Sequence, residues 1–120
     1  MIKGIGIDIV EIGRISELLQ KQGKFPERIL TEKEKDFFET LSGRRRAEYL
    51  AGRFAAKEAF SKAAGTGIGK QMSFQDIEIE TTPEGKPFVS KPFSEGVHLS
   101  ITHCREYAAA QVVIEKIQNL

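Results

Sequence analysis

The sequence predicts an α+β fold in which an antiparallel sheet packs against helices on one side. After a short N-terminal strand, helical spacing of apolar residues covers residues 11–64, and alternating spacing covers residues 73–115. Helices on one face of a sheet bury both kinds of apolar stripe. A chain of 120 residues buries a core without disulfide or metal support, so we expect one domain, residues 1–120.

The composition excludes several function classes. Eighteen basic and 17 acidic residues leave a formal charge of +1, so we expect neither nucleic acid nor membrane as a partner. The single cysteine, Cys104, allows no internal disulfide and suits a reducing compartment. The N-terminus MIKGIGIDIV is too short for a membrane span and lacks a signal-peptide layout. We therefore predict a soluble, cytoplasmic protein.

The N-terminal segment IKGIGIDIV predicts a β-strand with two unlike faces. Three isoleucines lie on one face, and Gly4, Gly6 and Asp8 lie on the other. The glycines leave room beside Asp8 for another backbone or a ligand.

Three helices are predicted next. The first covers residues 11–22 and ends before a glycine and a proline. The second follows Thr31, which forms a capping-box pattern with Glu34. The third covers residues 44–64 and ends in the glycine-rich stretch GTGIGK, which supplies left-handed cap conformations.

The remaining residues predict two hairpins. In the first, the turn PEG connects the predicted strands SFQDIEIET and KPFVS. In the second, the turn CRE connects GVHLSITH and YAAAQVVIE.

The long helix carries the first candidate for chemistry, in FAAKEAFSKA. Leu50, Ala51, Phe54 and Ala55 surround the direction in which Glu58 points, so this helix is covered on more than one face. A carboxylate in such surroundings must be paired, protonated or metal-bound. If Glu58 meets Asp8, a hard cation such as Mg²⁺ relieves the repulsion between the two carboxylates.

Lys62 lies four residues after Glu58 on the same helical face and has two interpretations. Spacing alone favours an i,i+4 salt bridge of about 0.3–0.5 kcal/mol. In a phosphate site, the ammonium would instead bind an anionic oxygen beside the metal.

Two other motifs give weaker evidence of a functional site. AAGTGIGK fits neither common phosphate-loop pattern, so we interpret it as a helix stop; a small anion nest formed by its amides is the alternative. His103 ends a predicted strand, where a lone histidine is usually structural. Its neighbour Cys104 points to the opposite face, which argues against thiol catalysis.

Two sets of basic residues complete the candidates. One brackets Glu58 and could hold a remote phosphate: Arg44, Arg45, Arg46, Arg53 and Lys57. The other mixes basic and apolar side chains at helical spacing and suits an acidic amphipathic partner: Arg14, Leu18, Lys21, Lys24, Phe25 and Arg28.

Four motifs occur in a fixed order along essentially the whole chain: GIGIDIVEIGRI, FAAKEAFSKAAGTGIG, GKP and SITH. Together they resemble the bacterial holo-acyl-carrier-protein synthases of the phosphopantetheinyl transferase superfamily. Cys104 departs from the family, in which we expect a small polar residue. The resemblance implies the fold of that superfamily. It also implies transfer of phosphopantetheine from coenzyme A to a serine of apo-acyl carrier protein, with adenosine 3′,5′-bisphosphate released.

The resemblance also implies roles for individual residues. Asp8 and Glu58 would bind Mg²⁺, and Glu58, Lys62 and His103 would be catalytic. The coenzyme A contacts would be Arg53, Ser61, Lys62, Gly65 and His103, and acyl carrier protein would dock on the second basic set. Glu58 and a metal-bound water are both candidates for the base.

A homotrimer with active sites between subunits is implied too, and it would explain the apolar neighbours of Glu58 as an interface formed by Leu50, Ala51 and Phe54. Two rival functions remain for the residues alone: a Mg²⁺-dependent phosphohydrolase, and an RNA-binding module built on residues 44–46.

Overall fold

The structure, a computed structural model, describes residues 1–117 and confirms the α+β class. The elements are, in chain order, β1 (Ile2–Glu11), α1 (Ile12–Lys21), α2 (Phe25–Ile29), α3 (Glu32–Phe38), α4 (Arg44–Ala64), β2 (Glu78–Thr81), β3 (Pro87–Lys91), β4 (Val97–His103) and β5 (Tyr107–Glu115). Within this part of the chain, no helix combines the length and apolar character needed to cross a membrane.

Two segments differ from the predicted elements. The five-residue helix α2 forms where we predicted only a break, because Pro26 sits in its first turn, where a missing N–H costs little. Residues Phe74–Asp76 form a 3₁₀ turn in place of a strand, closed by reciprocal bonds between Ser73 and Asp76. The strand therefore starts only at Glu78.

The strands form two separate antiparallel sheets, so the prediction of one sheet was wrong. Both predicted hairpins are present, as β2–β3 and β4–β5. The N-terminal strand pairs with the C-terminal one, which gives the order β1-β5-β4. Hairpin signals are local in sequence, and they carry no information about this long-range pairing.

The glycine face of β1 receives α4 at backbone contact. A Cβ on Gly4 would lie 1.9 Å from the Ala63 carbonyl oxygen, and one on Gly6 would lie 1.8 Å from the Ala59 oxygen. The opposite, isoleucine-rich face is open, with Ile7 and Ile9 each 65% exposed. This corrects the expectation that helices bury the isoleucine stripe. The helix backbone can contact the strand only at Gly4 and Gly6, where no side chain stands between them.

Helix α4 lies between two cores. One face packs on both sheets, and the other packs on α1, α2 and α3. Leu50 and Ala51 are fully buried in the second core, and Phe54 is half-buried against it. The prediction that a neighbouring subunit covers these residues was therefore wrong for Leu50 and Ala51, because the helices of the chain itself cover them.

Candidate active site

Asp8 and Lys62 meet at the junction of β1 and α4. Asp8 follows Gly6 on the glycine face, and its side chain is only 17% exposed. The Lys62 ammonium donates to Asp8 Oδ1 and to the carbonyl oxygen of Ile7, each at 3.1 Å. Its ion pair is thus with Asp8, from the distant strand, and the local i,i+4 pair with Glu58 does not form.

Glu58 lies one turn before Lys62, half-buried beside the same pair. Burial raises the pKa of the Glu58 carboxyl, the Asp8 carboxylate raises it further, and Lys62 acts in the opposite direction. The buried Ser61 hydroxyl donates to the Glu58 carbonyl oxygen at 2.7 Å within the same turn. The site therefore brings together two carboxylates that repel each other and one ammonium.

The donor set fits a hard cation that shares its coordination with a substrate. Residues 1–117 contain no cluster of three or more His, Cys, Asp or Glu side chains that could hold a metal by themselves. Asp8 and Glu58 offer two carboxylate ligands, and Mg²⁺ commonly takes one or two carboxylates and fills its remaining positions with water and phosphate oxygens. These residues therefore suit Mg²⁺ in the presence of a phosphate ligand.

Arg53 and His103 lie apart from the carboxylates, on a cleft of about 290 Å³ that Arg45, Tyr49 and Thr81 also line. The Arg53 guanidinium donates to Thr81 Oγ1 at 3.3 Å and stacks 4.4 Å above the Tyr49 ring. Its Nε is buried and has no hydrogen-bond partner in residues 1–117.

The sheet register fixes the distance between this cleft and Asp8. Asp8 pairs with Ala110, which pairs with Ile101 on β4. Two strand spacings of about 5 Å therefore separate β4 from β1, or about 10 Å in total. Within one chain, His103 does not contact the carboxylate pair, so the structure places it in the cleft and apart from the predicted catalytic group.

The glycine-rich loop and Ser61 do not present the ligand groups that the sequence suggested. Ser61 is fully buried, so its side chain is closed to coenzyme A here. Gly65 has a left-handed φ of 87°, and its amide donates to the Lys62 carbonyl. The amides of Thr66 and Gly67 donate to the Ser61 carbonyl. The first loop amides therefore cap α4, and they are not free to form an anion nest.

The first basic set divides in the structure. Lys57 is fully buried against Glu34, so it cannot hold a remote phosphate. Arg44 pairs with Glu48 at 3.0 Å, and the Arg46 guanidinium lies 4.1 Å above the Phe38 ring. Both line a larger cavity, of about 780 Å³, that contains neither the carboxylate pair nor Lys62, Arg53 or His103. These internal contacts weaken the RNA-binding alternative, because they engage two of its three arginines.

The second basic set lies on α1, on α2 and between them. Its four cationic side chains are exposed, and none forms an ion pair with another residue of the described chain: Arg14, Lys21, Lys24 and Arg28. The two apolar members differ from this description. Leu18 is half-buried, and Phe25 is buried against Phe54, with ring centroids 6.4 Å apart. The surface is therefore mainly cationic, and Phe25 anchors it.

Sequence reasoning missed Tyr49 and Thr81 as cleft residues. A signal for one was present, since Arg45, Tyr49 and Arg53 recur at four-residue spacing along one face of α4. Thr81 comes from the end of β2, and no local pattern indicates that β2 packs beside this face.

Comparison with known proteins gives consistent similarities. The family model described as the 4′-phosphopantetheinyl transferase superfamily matches residues 4–112. The holo-[acyl-carrier-protein] synthase of Bacillus pumilus is 59% identical over 99% of this chain and 100% of its own, and that of Bacillus subtilis is 58% identical with the same coverage. A crystal structure of the Bacillus anthracis synthase in complex with coenzyme A (3′,5′-ADP) is 55% identical, covers 98% of this chain and 99% of its own, and has a TM-score of 0.89. The crystal structure of the Helicobacter pylori synthase in complex with coenzyme A is 38% identical, covers 92% of this chain and 99% of its own, and has a TM-score of 0.78.

Proposed function

The chain belongs to the holo-acyl-carrier-protein synthases of the 4′-phosphopantetheinyl transferase superfamily, and we infer that it transfers 4′-phosphopantetheine from coenzyme A to a serine of apo-acyl carrier protein. Adenosine 3′,5′-bisphosphate is the other product. The observation that carries this function is the convergence of Asp8, Glu58 and Lys62, because phosphoryl transfer requires mainly positioning and charge neutralisation.

We propose that Asp8 and Glu58 hold Mg²⁺, which when bound supplies positive charge to the pyrophosphate of coenzyme A. Lys62 is half exposed beside Asp8, so its ammonium can reach an anionic phosphate oxygen at the same place. The carrier serine oxygen bonds to the β-phosphorus as the bond to the bisphosphate breaks, and the serine proton passes to a base. Glu58 and a metal-bound water are the two candidates for that base.

The cleft at Arg53 and His103 suits the nucleotide end of coenzyme A. Arg45 and Arg53 bring two guanidinium groups to it, and guanidinium groups bind phosphate oxygens through charge-assisted hydrogen bonds. We therefore propose that Arg53 and His103 bind the phosphoadenosine end of coenzyme A and take no part in the chemical step. Lys62 remains the predicted contact to the pyrophosphate, and Gly65 acts by ending α4 beside it.

The proposed carrier site is the cationic surface on α1 and α2. Its exposed Arg14, Lys21, Lys24 and Arg28 suit an acidic carrier, and α1 follows β1 four residues after Asp8. A carrier docked there would reach the carboxylate pair from the α1 side.

Self-association as a homotrimer is also proposed, through a different surface from the one the sequence suggested. The outer face of β1 exposes Ile5, Ile7 and Ile9, and Val113 lies opposite Ile5 on β5. Apolar patches of this kind mark association surfaces. Cytoplasmic localisation remains a proposal, supported by the lone cysteine and by the intracellular nature of coenzyme A chemistry.

Mass spectrometry of apo-carrier protein incubated with coenzyme A, Mg²⁺ and this protein tests the function. The expected result is one added phosphopantetheine mass per carrier, dependent on the carrier serine. A phosphohydrolase would cleave coenzyme A and leave the carrier unmodified. An RNA-binding module would change neither, so each rival has its own outcome.

A further inference from the structure

A buried ammonium lies next to the metal-site carboxylate in sequence. Lys57 directly precedes Glu58 on α4, its side chain is fully buried, and the proposed chemistry does not use it. Neighbouring residues on a helix point about 100° apart. The same turn of α4 therefore aims Glu58 at the site and Lys57 into the protein, towards α2 and α3.

The Lys57 ammonium joins a hydrogen-bonded network. It donates to Glu34 Oε1 at 2.6 Å and to the carbonyl oxygen of Ile29 at 2.7 Å. The same carboxylate accepts the Thr31 amide at 2.9 Å on Oε1 and the Ile79 amide at 2.7 Å on Oε2. Glu34 thus links α3, β2 and α4, while the second bond of Lys57 reaches α2.

That second bond is what makes Lys57 relevant to the reaction. Ile29 is the last residue of α2, a helix of five residues that is too short to be stable alone. Three kinds of contact hold it against α4: the Lys57–Ile29 bond at its C-terminal end, the packing of Phe25 on Phe54 at its N-terminal end, and the buried Ile29 side chain in the core shared with α4. Helix α2 carries Arg28 of the cationic surface, and Lys24 directly precedes it.

We propose that Lys57 is a positioning residue of the transfer reaction: it holds α2, and with it the carrier-docking surface, in a fixed position relative to Glu58. The proposal rests on the proposed function and deepens it. Because Lys57 and Glu58 share one helical turn, docking surface and carboxylate pair are held by the same rigid element. Release of α2 should then impair use of the carrier without impairing binding of coenzyme A.

The test is the double variant Lys57→Met, Glu34→Gln, because removing the ammonium alone would leave a buried unpaired carboxylate. The KM for the carrier should rise about tenfold, which corresponds to a loss of about 1.4 kcal/mol of docking free energy. The KM for coenzyme A and the thermal stabilisation by coenzyme A with Mg²⁺ should stay as in the wild type. Glu34→Gln alone leaves the buried ammonium without its carboxylate and should lower the melting temperature, but it keeps the Lys57–Ile29 bond and should keep most of the carrier affinity.

A stability control distinguishes the loss of α2 positioning from a general loss of protein stability. Val89→Ala opens the core between α4 and the sheets, away from α2, and should lower the melting temperature without changing the KM for the carrier. An unchanged carrier KM in the double variant, or a loss that falls on coenzyme A, would overturn the proposal. Failure of the proposed function is distinguishable, because the wild type would then modify no carrier.

A surface variant tests whether the position of α2 controls docking if the double variant does not fold. The Gln75 amide donates to the carbonyl oxygens of Glu27 and Leu30, at α2 and just after it, from an exposed position. Gln75→Ala loosens the same helix and should raise the carrier KM in the same direction by a smaller factor. An unchanged carrier KM in Gln75→Ala would show that the position of α2 does not control docking.

Discussion

Replacing Gly6 by alanine should separate α4 from β1 and disturb the site. An ideal Cβ at Gly6 would lie 1.8 Å from the Ala59 carbonyl oxygen and 2.8 Å from its carbonyl carbon. Both atoms belong to the backbone of α4, so no side-chain rotation can relieve the overlap. Real Cβ contacts essentially never fall below 3.0 Å, so the helix or the strand must move by more than 1 Å.

This displacement sets the expected magnitude. Overpacking costs typically 1–3 kcal/mol, and a contact between two backbones belongs at the upper end, near ~3 kcal/mol. At about 4 °C per kcal/mol for a chain of this size, the melting temperature should fall by roughly 10 °C. Glu58 and Lys62 would move with α4 relative to Asp8, and misplacement by about 1 Å lowers turnover by up to roughly 100-fold.

The assay is thermal unfolding at matched protein concentration, together with carrier modification followed by mass spectrometry. Gly13→Ala in α1 is the matched control, because a Cβ there meets no atom within 4 Å. Removal of a glycine from a helix should make that variant more stable by about 0.5–1 kcal/mol. A Gly6→Ala protein that melts with the wild type and transfers normally would refute the close packing of α4 on β1.

Four further predictions address the site and its surfaces. Glu58→Gln should lose most of the stabilisation that Mg²⁺ with coenzyme A gives the wild type, and most of its turnover; near-normal transfer at ordinary Mg²⁺ would contradict the metal assignment. Without divalent cations, the raised pKa of Glu58 means that the folded state binds the extra proton. Wild-type stability should therefore fall, relative to Glu58→Gln, as pH rises from 4.5 through that raised pKa, and parallel stability curves would count against it. Arg14→Glu should raise the KM for the carrier and not that for coenzyme A, with Glu17→Gln on the same helix as the control; the opposite pattern would remove Arg14 from the docking surface. Ile7→Lys should reduce the sedimenting mass towards the 13.4 kDa chain, and an unchanged oligomer would exclude the outer face of β1 as the interface.

Local chemistry allowed much of the fold to be predicted from the sequence. The long helix covers the predicted residues 44–64, and the Thr31–Glu34 capping box forms as its spacing indicates. Gly4 and Gly6 also indicated a close backbone approach beside Asp8, and α4 occupies that space. Each of these signals depends on neighbours in sequence or on the steric size of one residue, so the sequence alone reveals it.

The position of each lysine on α4 was decided by tertiary structure. Lys57 and Lys62 both belong to the motif in the long helix, yet Lys57 is fully buried against Glu34 and Lys62 is half exposed beside Asp8. Helical periodicity gives the direction of each side chain and not what packs there. The partners come from α3 and β1, distant in sequence, so only the packed structure separates an internal ion pair from a candidate phosphate ligand.

The same reason explains the two faces of β1. Alternation identified an isoleucine face and a glycine face, and hydrophobicity favoured burial of the isoleucines. In the structure the glycine face is buried, because the backbone of α4 lies directly against Gly4 and Gly6. The isoleucines on the opposite face are exposed. The sequence by itself determined the polarity of each face, the Thr31 cap and the candidate ligands for a metal and phosphate. Which faces meet was decided only in the tertiary structure, because packing depends on shape and on elements far apart in the chain.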